Sequence, residues 1–148
     1  IFYKMVFNGT DLILKVSPSD GGAAAKLMHS QNVSISMSAD TIDITDKDSD
    51  GWRTLIGGTK SFSLSADGLM DFNPTDATVT EVDELTTQMY NRTAVTFDFT
   101  LATTASGDYF YEGSGFITSV EVSGGTEDAP TYSVSIEGSG ALTTTPVA

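Results

Sequence analysis

Two stretches of the sequence alternate strictly between apolar residues and serine, and this pattern constrains the fold more than any other feature. Residues 33–39 read VSISMSA, and residues 62–66 read FSLSA. Successive side chains of a β-strand point to opposite faces, so this period of two predicts strands with one apolar face and one hydroxyl face. Ile42 continues the first stretch, and the glycine pair at residues 57–58 is predicted to form a turn before the second.

Other segments predict further strands on both sides of a single helix. These strands are expected at residues 10–17, 95–101, 109–122 and 132–136, and glycines at residues 113–115 leave open whether the third is one strand or two. The order is then about four strands, a helix and four more strands. We therefore expect a mainly β protein, namely a β-sandwich or barrel-forming sheet with one flanking α-helix.

The helix is predicted to run from about Asp76 to Tyr90. Its apolar stripe, spaced three, three and four residues apart, consists of Val79, Val82, Leu85 and Met89. Asp76 or Thr78 is expected to cap the N-terminus. The polar face is expected to comprise Thr80, Glu84, Thr87, Gln88 and Asn91. A single amphipathic helix in a β protein must bury its stripe against a sheet.

Length and composition favour one domain spanning residues 1–148, large enough to bury a core of its own. A possible N-terminal arm covers about residues 1–9, which are apolar without a clean period. An extended, Thr-rich C-terminal tail is expected over about residues 138–148. No secretory signal is expected, and no stretch approaches the roughly 18–20 apolar residues of a membrane span. The absence of cysteine excludes disulfides, thiol catalysis and thiolate metal sites.

The formal net charge is −13, from 20 acidic and 7 basic residues. Binding of nucleic acid through its phosphates needs clustered Lys and Arg, so this composition argues against such binding. It is compatible with repelling nucleic acid. The faces rich in Ser and Thr carry few charges for a solvent-facing surface, which is compatible with contact to another subunit. The β-propensity of Thr explains the same composition equally well.

One acidic loop is the main candidate for ligand binding. Asp46, Asp48 and Asp50 match the start of a calcium-binding loop, in which alternating carboxylates converge on one cation. Gly57, however, occupies the position at which an EF-hand needs a bidentate Glu, so a solvated inter-strand loop is the preferred interpretation. Trp52, the sole tryptophan, could stack on a sugar or contact a partner. A calcium- or carbohydrate-binding β-sandwich module is therefore the alternative function.

Catalytic residues are not assigned from this sequence, and no cofactor is expected. His29 is the only histidine, and no serine lies in a G-x-S-x-G elbow. Pairs of nearby aspartates could serve a glycosidase only if they faced each other across a cleft, which the sequence does not indicate.

Three segments, taken in order, resemble the phage major tail protein family, the subunits of siphovirus-type tail tubes such as those of lactococcal phages. They are residues 43–53 (DITDKDSDGWR), residues 58–69 (GTKSFSLSADGL), and residues 111–142, which include YEGSGFITSV, SGGTED and YSVSIEGSGAL. Asp46 differs from the family pattern, which often has a second Thr before the Lys.

The resemblance implies a β-sandwich with a flanking helix and a structural, non-enzymatic role. It further implies that six subunits form a ring whose inner strands join into one β-barrel, and that rings stack into a tube. The loop around residues 46–53 typically contacts a neighbouring subunit or ring in this family, and Lys47, Trp52 and Arg53 are the predicted contact residues. Metal ligands are not expected, with Asp46, Asp48 and Asp50 as weak candidates.

The resemblance also implies partners and a location. The chain is expected to assemble with itself, with the tape measure protein and with tail terminator and distal tail proteins. DNA would pass through the lumen without specific binding, and six copies at −13 each would give the ring a formal charge of −78. The expected location is the virion tail, assembled in the host cytoplasm, with no membrane association. A gene-transfer or other phage-derived particle is a close variant of this interpretation.

Overall fold

The computed structural model describes residues 8–17, 21–71 and 78–148. A 3-10 turn at Gly9–Asp11 precedes β1 (Leu12–Val16), β2 (Ala25–Leu27), β3 (Ser30–Asp43), β4 (Leu55–Leu69), β5 (Val79–Thr80), α1 (Val82–Asn91), β6 (Val95–Leu101), β7 (Tyr109–Ser123) and β8 (Thr131–Pro146). The strands hydrogen-bond in the order β3-β4-β8-β7-β6-β1-β2-β5. Each pair is antiparallel except β2 with β5.

This hydrogen-bonded sheet folds into a sandwich because β7 and β8 pass from one layer to the other. Residues 131–137 of β8 pair with β4, whereas residues 111–115 of β7 pair with β6. The first layer, which we call the serine layer, therefore consists of β3, β4, the first half of β8 and the second half of β7. The second layer contains β6, β1, β2 and β5 with the remaining halves of β7 and β8. The predicted fold class is confirmed.

Glycines mark the corner at which these two strands change layer. The register of β7 against β8 shifts between Glu112 and Ser114, as expected where strands bend between packed sheets. A Cβ at Gly138 would collide with the ring of Phe62, and a Cβ at Gly115 would collide with a backbone carbonyl of β8. Glycine is needed here because the chain backbones and the core ring approach too closely for any side chain.

The core lies between the layers and beneath the helix. Phe62 of β4 and Phe97 of β6 face each other across it, with ring centroids 5.7 Å apart and planes tilted by 58°, a favourable arrangement for aromatic pairs. Among the described residues, the large apolar side chains that are fully buried are Leu14, Val16, Leu27, Leu85, Val95, Phe97, Val134 and Ile136. The apolar set of the alternating stretch at residues 62–66 is buried, as the period of two predicts.

The helix starts later than predicted. Asp76 lies outside the described residues, and Thr78 precedes a short strand rather than capping a helix. The backbone of Thr80 pairs with β2, and the Thr80 hydroxyl donates a hydrogen bond to the Val16 carbonyl oxygen at 2.7 Å. These contacts hold Thr80, a β-branched residue, in a strand. Glu81 is the N-cap residue instead, and it forms a capping box with Glu84. The Glu84 carboxylate accepts a hydrogen bond from the Glu81 N–H at 3.0 Å.

The predicted polar face of the helix is wrong at two positions. Thr80 belongs to β5 and is buried, and Gln88 is buried within α1. The side-chain amide of Gln88 donates to the Ser17 carbonyl oxygen at 2.7 Å, so it satisfies the end of β1 rather than facing solvent. The helix packs against β7. No helix of the described residues is long and apolar enough to cross a membrane.

Several strand boundaries also differ from the predictions. Residues 109–122 form part of one continuous strand, and the glycine pair at residues 57–58 lies inside β4 rather than in a turn. Among the residues that the structure describes, five strands precede the helix and three follow it. The segment from Gly138 to Pro146 is the second half of β8 and pairs with β7. Of the predicted N-terminal arm, residues 1–7 lie outside the described part of the chain.

Candidate assembly surfaces

The hairpin of β3 and β4 extends well beyond the sandwich. β4 pairs with β8 only from Ser63 onward, so the preceding part of β4 has β3 as its only partner among the described strands. We call residues 40–60 the arm and residues 44–54 its tip. No residue of the arm is buried. A two-stranded ribbon without a packed face gains little stability from burial within its own chain.

The arm exposes more large apolar side chains than a solvated hairpin requires. They are Ile42, Ile44, Trp52, Leu55 and Ile56, and Trp52 is 79% exposed. Contiguous exposed apolar residues in a soluble protein commonly mark a surface that another protein covers. The exposure of these side chains is consistent with a contact between copies of the chain.

The tip has a defined turn despite its exposure. Asp46 Oδ1 accepts hydrogen bonds from the Asp48 N–H at 3.0 Å and from the Ser49 hydroxyl at 2.9 Å. Asp50 and Gly51 then adopt left-handed backbone conformations, with φ of 51° and 78°, which reverse the chain. The Thr54 N–H donates to the Thr45 hydroxyl at 2.9 Å and closes the base of the tip.

The three predicted contact residues all lie in this tip. Lys47 and Trp52 are exposed, and the Trp52 N–H donates to the Ser49 carbonyl oxygen at 2.8 Å. Arg53 Nε lies 3.1 Å from Asp43 Oδ2, with the two side chains 69% and 50% exposed. An ion pair this exposed contributes little to stability. Arg53 therefore has a partner within its own chain but stays accessible to a neighbour.

Hydrogen bonds at the base of the tip lower the pKa of the Asp43 carboxyl group. The Thr45 hydroxyl and the Thr45 N–H, which lies 2.9 Å from Asp43 Oδ1, lower the pKa of this group, and Arg53 adds to the effect. Hydrogen bonds to the charged form of a carboxyl group lower its pKa in this way.

The carboxylates of Asp46, Asp48 and Asp50, which match the start of a calcium-binding loop, do not converge on one point. Asp46 bonds back to its own turn, as described above, rather than toward the other two carboxylates. Within residues 8–17, 21–71 and 78–148, no three His, Cys, Asp or Glu side chains form a group that could hold a metal ion. In this structure the pattern serves the turn.

The serine layer carries a hydroxyl face on the side opposite the core. Ser34 and Ser65 lie opposite each other with hydroxyl oxygens 2.6 Å apart, and Ser38 and Ser61 are paired in the same way at 2.8 Å. We call this surface the hydroxyl face. Its rows across β3, β4, β8 and β7 are Asn32, Asp67, Ser133 and Glu121; Ser34, Ser65, Ser135 and Ser119; and Ser36, Ser63, Glu137 and Phe116.

No Lys or Arg side chain belongs to the hydroxyl face in the described strands. Lys60 is the one basic residue of β3, β4, β7 and β8, and it alternates onto the same side as Phe62. The charges on the face are those of Asp67, Glu121 and Glu137. The alternation in residues 33–39 and 62–66 predicts the serine side of β3 and β4. It does not predict that the face contains no Lys or Arg, because that depends on the register of four strands.

Comparisons with known proteins agree on one family and one fold. The family model described as "Phage tail tube protein" matches residues 6–144. The solved structure of the tail of an empty gene transfer agent particle, refined with C6 symmetry, is similar over 95% of this chain and 99% of its own, with a TM-score of 0.78 and 25% sequence identity.

More distant structures share the fold. The virion of the native gene transfer agent particle matches with a TM-score of 0.75 and 24% identity over 95% of this chain and 99% of that chain. The SPP1 tail tube matches with a TM-score of 0.73 and 18% identity over 96% of this chain and 80% of that chain. No curated protein sequence matches the chain.

Proposed function

The chain belongs to the phage tail tube protein family, and we propose that six copies form a ring and that rings stack into a hollow tube that conducts DNA. The observation that carries this proposal is the likeness, over 95% of the chain, to a subunit of a C6-symmetric tail. The chain is a structural component of a virion tail, and the family and its structural neighbours are structural proteins.

Open strand edges support closure of the ring. β3 pairs with β4 on one side, and the described chain contains no strand on its other side. At the opposite end of the serine layer, residues 116–123 of β7 pair with β8 alone. Pairing of β3 with the β7 edge of the next copy would join the serine layers of six subunits into one closed barrel. Closure of a barrel removes edges that would otherwise promote aggregation.

The hydroxyl face is our proposed lining of the lumen. It is the side of the serine layer that faces away from the core of the subunit, and its charged side chains are all acidic. Phosphates sliding past would meet hydroxyl groups and like charge instead of Lys and Arg, which hold nucleic acid. The repulsion acts only at close approach, because the Debye length is about 8 Å at physiological salt.

The arm is our proposed contact with a neighbouring subunit or ring. Its exposed apolar side chains and the residues Lys47, Trp52 and Arg53 form the contact surface in this proposal. The remaining proposed partners are the tape measure protein and the tail terminator and distal tail proteins, and assembly would take place in the host cytoplasm. The particle would be a phage or a gene-transfer particle.

Electron microscopy tests this function directly. Negative-stain images of the concentrated protein, and of particles from the producing lysate labelled with an antibody to the chain, should show six-fold rings, stacked tubes or labelled tail shafts. Monomers without rings, together with particles whose tails stay unlabelled, would contradict the proposal. A soluble monomer alone is compatible with it, because assembly can require an initiating complex.

A substitution pair tests the proposed lumen. Glu121→Lys and Glu137→Lys together place cations on the hydroxyl face, so DNA ejection should slow by several-fold in particles that still assemble. Asp83→Lys, at an exposed position on α1, is a control for an acid-to-Lys change away from the hydroxyl face and should leave the ejection rate unchanged. Time-resolved ejection from purified particles measures both. Equal rates for the lumen and control variants would contradict the assignment of the hydroxyl face to the lumen.

A further inference from the structure

A cleft opens where β4 and β8 separate. The two strands pair from Ser63 opposite Glu137 up to the end of β4, and on the other side of this point they diverge. β4 continues into the arm with β3, whereas β8 continues with β7 in the second layer. The two branches enclose a cleft of about 490 Å³, which is lined on one side by Met37, Lys60 and Phe62 and on the other by Ala141 and Leu142.

Both walls of this cleft are incomplete. The β4 wall, residues 55–62, pairs only with β3, and the β8 wall, residues 138–146, pairs only with β7 among the described strands. Met37 at the cleft is an apolar side chain that is 51% exposed. Unpaired strand edges combined with exposed apolar side chains are the features of a surface that another chain completes.

The tip of the arm has the chemistry to fill this cleft. Trp52 and Ile44 supply exposed apolar groups, and Asp46, Asp48 and Asp50 outnumber Lys47 and Arg53, so the tip carries a formal charge of −1. Lys60 is exposed and is the one cation among the described residues that line the cleft. The cleft volume lies within the range of roughly 300–1,000 Å³ that is typical of pockets for small-molecule ligands, so it has room for an indole side chain.

The tip that enters must come from another copy. The arm of the same chain forms one wall of the cleft, and the five residues from Lys60 to Leu55 carry the tip roughly 17 Å away along that wall. Tip and cleft are also different surfaces, so in a ring or stack the tip of one copy enters the cleft of the next, and the contact is heterologous. A heterologous contact repeats from subunit to subunit and builds rings or stacks rather than closed two-fold dimers.

We propose that the cleft between β4 and β8 receives the arm tip of a second copy of this chain. Trp52 then packs against Met37 and Leu142, and the carboxylates of the tip lie near Lys60. This inference rests on the proposed assembly into a tube, and it adds the site on the neighbouring subunit that receives the arm.

Disulfide trapping tests the contact, because the natural chain has no cysteine. Asp48→Cys combined with Ala141→Cys, which leaves Trp52 in place, should give a ladder of covalent multimers when assembled particles are oxidised and run on a non-reducing gel. Each single variant should stop at dimers or remain monomeric. The control pair is Tyr90→Cys with Ala141→Cys, in which Tyr90 is 76% exposed on α1. Assembled tubes in which the first pair gives no more multimer than the control would overturn the inference.

A charge exchange gives an independent reading if the cysteine variants fail to assemble. Lys60→Glu should raise several-fold the protein concentration needed for half-maximal tube formation, and adding Asp48→Lys should restore much of the loss. Lys26→Glu, at an exposed position on β2, carries the same charge change and should have a smaller effect. Equal effects of Lys60→Glu and Lys26→Glu, without rescue by Asp48→Lys, would overturn the inference. Particles from the producing lysate whose tails stay unlabelled by an antibody to the chain, together with a wild-type protein that forms no rings, would instead contradict the proposed function.

Discussion

The two ends of β4 both carry large apolar residues but have opposite environments. Residues 62–66 bury their apolar set in the sandwich, because β8 pairs alongside and the second layer covers them. Residues 55–60 continue the same strand without a third strand beside it, and they are largely exposed. Burial in the first region stabilises the monomer, whereas exposed apolar groups in the second contribute little until another copy covers them. Stability and assembly should therefore respond to separate substitutions.

Phe97→Ala should have the largest effect on the monomer. Phe97 is fully buried and faces Phe62 across the core. Removal of a buried aromatic ring costs about 3–5 kcal/mol of unfolding free energy. Urea unfolding of the monomer, followed by circular dichroism, measures the loss. A decrease in unfolding free energy of less than about 1 kcal/mol would contradict the placement of Phe97 in the core.

Tyr132→Phe should have an intermediate effect. The Tyr132 hydroxyl donates to the Met28 carbonyl oxygen at 2.6 Å and links β8 to the turn after β2. Loss of the hydroxyl leaves this buried carbonyl unpaired, at a cost of about 1–3 kcal/mol. Urea unfolding at neutral pH measures it. Equal unfolding free energies of the wild-type protein and the variant at this pH would contradict the assigned hydrogen bond.

The same hydroxyl predicts a pH dependence. Burial raises the pKa of Tyr132 above its ordinary value, and the nearby Asp67 carboxylate adds to this effect. A pKa raised by folding gives stability that is present below the unfolded-state pKa of about 10 and is lost above it. Wild-type stability should therefore fall above about pH 10 more steeply than that of Tyr132→Phe. Parallel pH profiles would contradict this.

Trp52→Ala should separate stability from assembly. The side chain is largely exposed in the tip, so the unfolding free energy of the monomer should change by less than about 0.5 kcal/mol. Tube formation, measured by light scattering and electron microscopy, should be strongly reduced because a large contact side chain is lost. Tyr90→Ala is the control, with a similarly exposed aromatic outside the arm, and should assemble normally. Normal assembly of Trp52→Ala would remove this residue from the contact.

The smallest effect should be local to the base of the tip. Thr45→Ala removes the hydroxyl that most lowers the pKa of Asp43, so this pKa should rise toward its ordinary value. Arg53→Ala should raise it less. Carbon-detected NMR titration of the monomer follows the Asp43 carboxyl group directly. A larger rise in Arg53→Ala than in Thr45→Ala would reverse the assigned order of causes.

Sequence reasoning was reliable where one local pattern decides the structure. The alternation over residues 62–66 predicted both strand and buried face, because side-chain direction follows from strand geometry alone. The resemblance carried the family, which the comparisons support. The arm was harder to predict, because Ile42 and Ile56 have the spacing of core residues. These two side chains are exposed because the pairing of β8 with β4 begins only at Ser63. The sequence around Ile42 and Ile56 does not indicate where that pairing begins.

The start of the helix shows the same limit. Val79 fits both the helical stripe and a short strand, and pairing with β2 decides for the strand. Gln88 is polar, yet it is buried, because its side-chain amide donates a hydrogen bond to the Ser17 carbonyl oxygen at the end of β1. The roles of Lys47, Trp52 and Arg53 depend on a neighbouring copy and stay predictions.

A cryo-electron microscopy map of the assembled particle tests the central claim most directly. The account predicts a six-fold tube in which Glu121, Glu137 and the serine rows of β3 and β4 face the lumen, with the arm against a neighbouring subunit. A six-fold tube with the hydroxyl face turned outward, or with the arm extended into solvent, would contradict it.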